Sequence, residues 1–144
     1  LEDEWNVAAD VWSATSFTEL RREAVDVERW NTLHPMDRPR TAYVTRVLEK
    51  HKGPVVAATD YIRSFPEQIR PFVGDRAFMT LGTDGFGRSD MRSELRKFFE
   101  VNRHYVVVAA LKALADVGDV DSSLVGQAIK AYKIDPDKPN PATV

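Results

Sequence analysis

The sequence predicts an α/β domain of three layers, a mostly parallel sheet covered by helices on both faces. Two short apolar runs, Val55–Ala58 and Phe78–Leu81, are separated by stretches whose apolar residues recur at helical spacing. Strands buried on both faces read as such continuous runs, and their alternation with helices implies parallel pairing. Capping residues and glycines also fall where these helices should begin and end.

The elements follow in order. Residues 1–6 read as the tail of a helix, and with no initial methionine the chain reads as a fragment. In residues 7–13, Val11 and Trp12 favour a strand. Ser16-Phe17-Thr18-Glu19 has capping-box spacing. Leu20, Ala24 and Val27 then mark the apolar face of a helix running to about Asn31, with Arg21, Arg22 and Glu23 opposite. Residues 37–40, with Pro35 and Pro39 nearby, form a loop. Tyr43, Val44, Val47 and Leu48 support a helix over about 42–50, which Gly53-Pro54 ends. Asp60 is placed to cap a helix carrying Ile62, Phe65, Ile69 and Phe72, which Pro66 either kinks or opens in its second half.

Three helices should follow the second strand. Ser89 is positioned to cap the first, which buries Leu95, Phe98 and Phe99 and pairs Glu94 with Lys97 outside. Asn102 caps the second, and Gly118 stops it after Val117. Its valine triplet, Val106 to Val108, favours a strand locally, but the caps and the length argue for a buried helix. Asp121 or Ser122 starts the last, with Leu124, Val125, Ala128, Ile129 and Tyr132 on one face. The domain is expected over residues 1–134, with 135–144, which hold three prolines, as a surface tail.

Composition narrows the function. A chain of 144 residues suits one domain with a real core, and 43% hydrophobic with 29% charged residues is ordinary for a soluble globular protein. Basic and acidic residues number 20 and 22, a net charge of −2 with no long block of either sign. That gives no electrostatic footprint for nucleic acid or an anionic membrane. The lack of cysteine excludes disulfides, thiolate metal sites and a cysteine nucleophile, and is compatible with a reducing cytoplasm. The longest apolar run, residues 105–111, is far short of the ~20 residues that span a bilayer. No signal-peptide pattern opens the chain.

No convincing catalytic constellation stands out. Gly82, Gly85 and Gly87 invite a phosphate-binding reading, but Arg88-Ser89 follows where a P-loop needs a lysine before its Ser or Thr, at another spacing. Asp84 and Asp90 could hold a hard cation, yet turn and cap chemistry accounts for both more simply. His34, His51 and His104 have no metal-ligand spacing, and His34 is best read as packing a helix end. Ser13 and Ser16 lack a partner histidine or a nucleophile elbow. Asp26 and Glu28 face different sides of one helix. Trp12, Trp30, Phe17, Tyr61 and Phe65 divide between core and interface in a way the sequence leaves open.

Three segments carry a resemblance: Leu81-Gly82-Thr83-Asp84-Gly85-Phe86-Gly87-Arg88-Ser89-Asp90, Glu28-Arg29-Trp30-Asn31-Thr32-Leu33-His34-Pro35, and Tyr105-Val106-Val107-Val108-Ala109-Ala110-Leu111. Together they resemble the C-terminal, transketolase-like domain of the homodimeric, thiamine-diphosphate-dependent first component of the bacterial pyruvate dehydrogenase complex. The likeness covers about residues 9–141. It implies a transketolase C-terminal-domain-like fold, here lacking its first strand and most of one helix. It implies a cytoplasmic parent enzyme that decarboxylates pyruvate with thiamine diphosphate and magnesium, then acetylates the lipoyl group of the second component. The implied partners are the remaining domains of the parent chain, the homodimer mate and that lipoyl-bearing component. This segment itself is expected to bind neither cofactor nor metal and to hold no catalytic residue. Its role would be structural, with Asp84, Phe86 and Arg88 in a contact loop. The other reading is a free-standing module of the same fold that binds a small or regulatory ligand at the strand-end loops.

Overall fold

Two four-residue strands lie at the centre of the molecule. In the computed structural model, which describes residues 1–144, β1 (Val55–Ala58) and β2 (Phe78–Leu81) pair in parallel, with Val55 opposite Phe78 and Ala58 opposite Leu81. Helices α1 (Glu2–Trp5), α2 (Phe17–Leu33) and α3 (Tyr43–Leu48) precede the sheet. The crossover holds α4 (Ser64–Glu67) and a 3-10 turn at Arg70–Phe72. Then come α5 (Arg92–Phe98), α6 (Arg103–Asp116) and α7 (Ser122–Ala131). The α/β class expected from the sequence is the one observed.

Side chains alternate across the strands, so each face meets its own helices. Ala57 and Phe78 join Ala24 of α2, Val44 of α3 and Ile69, Phe72 and Val73 of the crossover in one core. Helix α6 packs on both strands. With α7 it builds a second core around Leu111, Val125 and Ala128, against which Leu1, Trp5 and Val7 lie. The valine triplet is helical here. Burial of Leu111, at 0% exposure, is worth about 1.5–3 kcal/mol, more than the few tenths by which β-branching disfavours a helix at each valine.

The helix ends are largely those the sequence marks. The Ser16 hydroxyl accepts the Glu19 amide at 3.1 Å, although the Glu19 carboxylate pairs with Arg22 at 2.5 Å. The Asn102 side chain accepts the amides of His104 and Tyr105 at 2.9 and 3.1 Å. Asp121 accepts that of Ser123 at 2.8 Å, and the Ser123 side chain together with this amide holds its carboxyl below the usual aspartate range. Gly118 takes the left-handed turn (φ 83°) beyond α6.

Five expectations need correction. Residues 7–13 form no strand: Val11 is 95% exposed, and Trp12 meets the His51 ring edge-on at 4.9 Å. A strand needs a neighbour for its amides and carbonyls, and none runs beside this segment. Asp60 caps no helix but turns to Arg92 and Arg96. Pro66 lies in the first turn of α4, where a missing N–H costs nothing, and the expected long helix is divided instead into α4 and a 3-10 turn that carries Pro71 in its first positions. Ser89 is too early to cap α5, which starts at Arg92 with Met91 at its N-cap position. Glu94 and Lys97 form no ion pair there, as exposed pairs gain little in water.

A glutamate–arginine clasp fixes the crossover to the sheet. Arg70 donates to both Glu67 oxygens at 2.6 and 2.7 Å and to the Phe78 carbonyl at 3.0 Å, while the Thr80 hydroxyl donates to Glu67 at 2.6 Å. The Arg70 bonds hold the Glu67 carboxyl below its ordinary value, against the opposing effect of desolvation.

Candidate interaction site at the strand ends

The backbone leaves β2 through Gly82, and no other residue would fit. A Cβ there would stand 2.6 Å from the Arg63 nitrogen and 2.7 Å from the Tyr61 oxygen. The approach lets the chains leaving both strands lace together. Thr83 donates its amide to the Tyr61 carbonyl at 2.8 Å and its hydroxyl to the Asp60 carbonyl at 2.8 Å. Asp84 accepts from the Arg63 amide at 3.1 Å and from its guanidinium at 3.0 Å. Gly85 follows with φ 110°, and a Cβ there would lie 2.3 Å from the Pro141 carbonyl oxygen. The 135–144 segment is thereby strapped to the loop: Pro141 is buried, and Lys138 binds the Phe98 carbonyl and Glu100.

The three residues expected to make contacts therefore play different parts. Asp84 is an internal brace. Phe86 is 77% exposed. Arg88 is exposed, lies over the Phe98 ring with its guanidinium 4.6 Å from the centroid, and makes no ion pair. Behind them opens a cavity of about 330 Å³, lined by Asp60, Phe86, Arg88, Arg92, Arg96 and Phe99 among others. It lies at the carboxyl ends of the parallel strands, where open α/β folds gather their functional loops. Arg92 and Arg96 reach Asp60 at 3.5 and 3.2 Å. Sequence reading missed Asp60, Arg63, Arg92 and Arg96 as parts of this site. A spacing of four between Arg92 and Arg96 on one helix face was the one signal available.

Each histidine has a partner within the chain. The His34 ring stacks on Trp30 at 4.4 Å and bonds the Trp30 carbonyl through Nδ1 at 2.8 Å, while Arg40 sits 3.8 Å from the Trp30 centroid. The segment 28–35 is thus a helix end locked by stacking. His51 bonds Asp10 at 2.8 Å. His104 stacks on Tyr132 at 4.4 Å, whose hydroxyl pKa is raised by burial and by its bond to Glu4. No helix is long and apolar enough to cross a membrane.

Comparison with known proteins finds relatives along the whole chain. The chain is 56% identical over 144 residues to the pyruvate dehydrogenase E1 component of Cupriavidus necator, covering 100% of this chain and 16% of the relative. Its likeness to the protein of the same name from Pseudomonas aeruginosa is 54% over 141 residues, and to that of Escherichia coli K12 50% over 141 residues, each covering 98% of this chain and 16% of the relative. The chain thus spans about one sixth of the length of the relatives it matches. The model of the transketolase-like TK C-terminal domain matches residues 1–102, and the chain belongs to that family.

Proposed function

We propose that this chain is the C-terminal domain of a pyruvate dehydrogenase E1 component. The whole enzyme would be a cytoplasmic homodimer that decarboxylates pyruvate and acetylates the lipoyl group of the complex's second component. The observation that carries the reading is 56% identity across 144 residues to a relative of that name. We take residues 1–134 as the domain and 135–144 as its tail.

Thiamine diphosphate and magnesium, which supply the carbanion chemistry in such an enzyme, do not suit the residues here. A metal-bound diphosphate needs free hard-oxygen ligands, and the Asp84 carboxylate is spent on Arg63. The space beside Gly85 is filled by Pro141, and no three His, Cys, Asp or Glu residues converge. The cofactor then belongs to the other domains of the parent. This one supports them and the dimer through its strand-end loop, with Asp84 bracing Phe86 and Arg88 for contact.

The test is Arg88→Ala in the full-length enzyme. Loss of a desolvated charged contact costs about 2–5 kcal/mol, so association should weaken and activity should fall through assembly. Sedimentation at falling concentration beside activity assays separates the cases. An equally stable dimer with collapsed turnover would make Arg88 catalytic and end the structural reading. Calorimetry of the 144-residue chain with cofactor and magnesium should give no saturable heat.

A further inference from the structure

We propose that residues 135–144 are a strap that holds the strand-end loop in the shape its contacts require, so that association in the parent enzyme depends on a segment outside the domain's cores. This rests on the contact reading above and deepens it by naming what positions the loop.

The loop does not hold its own shape. Its bracing stops at Asp84, which accepts from Arg63, and resumes at the Met91 amide, which donates to Asp90 at 2.7 Å. Between them, from Gly85 to Ser89, no backbone or side-chain group makes a hydrogen bond within the chain. Such a stretch opens readily, because little offsets the entropy lost in fixing it.

The 135–144 segment supplies what is missing. The Pro141 carbonyl oxygen occupies the place that a Cβ on Gly85 would need. Lys138 donates to the Phe98 carbonyl and, at 3.1 Å, to Glu100, and its ammonium lies 5.1 Å from the centroid of the Phe98 ring. Arg88 rests on that same ring, so the tail and the loop are gathered on one side chain. The segment also has a shape of its own. The Asn140 side chain accepts the Ala142 amide and its carbonyl accepts the Thr143 amide, both at 3.0 Å, which folds a turn around the buried Pro141. Neither apolar core draws on residues 135–144. Their packing therefore serves the loop, and losing them should leave the domain folded.

The test compares the full-length enzyme with two variants by sedimentation at falling concentration. One variant lacks residues 135–144, and the other carries Lys138→Met with Pro141→Gly. A released loop that held its contact shape about a tenth of the time would weaken association roughly tenfold. At least that loss is expected of the deletion, and a smaller one of the double substitution. Far-UV circular dichroism should not change, and trypsin should cut after Arg88 faster once the protein is dissociated. Adding Arg88→Ala to the deletion should weaken association little further, since both act through one loop. Should the deletion disturb the spectrum, the double substitution decides.

Association indifferent to both variants overturns the proposal, as does unchanged cleavage after Arg88. Full additivity of the deletion with Arg88→Ala also overturns it, by placing the tail itself in the interface. If Arg88→Ala weakens association while the tail variants do not, the contact loop stands and the strap falls. If none of the three weakens it, both readings fall.

Discussion

The two ends of the small sheet use arginine in opposite ways. At the amino ends, a cavity of about 460 Å³ is lined by Arg76, Gly53, Pro54 and Asp75 among others. Arg76 makes three bonds there, donating to the carbonyls of Leu48, His51 and Gly53 at 2.7, 2.9 and 3.3 Å. At the carboxyl ends, Arg92 and Arg96 share the Asp60 carboxylate, Arg88 has none, and all three keep donors in reserve. The first arginine ties α3 to the start of the strands. The others leave donors for the contacts proposed at this end. The count of satisfied donors separates a structural arginine from one available for recognition, where residue type and cavity size do not.

That contrast can be broken or sharpened by measurement. The largest effect should come from Arg76→Met. It removes charge-assisted bonds to carbonyls that then lack a donor, at about 1.5–3 kcal/mol. The thermal midpoint should fall, with partner association unchanged in the folded protein. A variant as stable as the parent would show those carbonyls to be hydrated, and the two ends alike.

Next is the loop backbone. Gly82→Ala drives a Cβ to 2.6 Å from the Arg63 nitrogen, a contact with backbone that no rotamer change relieves. Overpacking of this kind costs about 1–3 kcal/mol. Gly85→Ala adds strain at φ 110° and pushes on Pro141. It should free the 135–144 segment before the rest, so limited proteolysis should clip there first. An unchanged digestion pattern would mean that the strap does not depend on Gly85.

The pH response should follow the clasp on the sheet. The Glu67 carboxyl is lowered in the folded state by the Arg70 bonds. Unfolding raises it again, so the unfolded chain takes up the proton first. The stabilisation is complete above the ordinary glutamate range, about pH 4–4.5. It is lost as pH falls through the lowered native value. Denaturant titrations across that window should show a steeper acid loss for the parent than for Glu67→Gln. Glu67 and Arg70 are both partly exposed, so the difference should be under about 1 kcal/mol.

The smallest effect on stability belongs to Phe86→Ser. At 77% exposure Phe86 contributes little to the core, and the unfolding free energy should move by less than about 0.5 kcal/mol. A larger loss would mean that Phe86 packs against the loop and is not presented for contact.

Much of the fold could be read locally. The strands Val55–Ala58 and Phe78–Leu81 are where the apolar runs lie, and Ser16, Asn102, Asp121 and Gly118 act at the helix ends where they stand. The caps depend on bonds within a few residues and the strands stand out as apolar runs, so the sequence by itself marked both. It also marked residues 82–90 as a turn, because three glycines and two aspartates favour one. What it could not determine depends on residues far apart in the chain. The brace between Arg63 and Asp84 and the shared carboxylate of Asp60 arise because the parallel pairing sets the ends of both strands side by side. The propensity of Val11 and Trp12 for a strand came to nothing because pairing needs a neighbouring strand, and only the tertiary structure decides whether one is there.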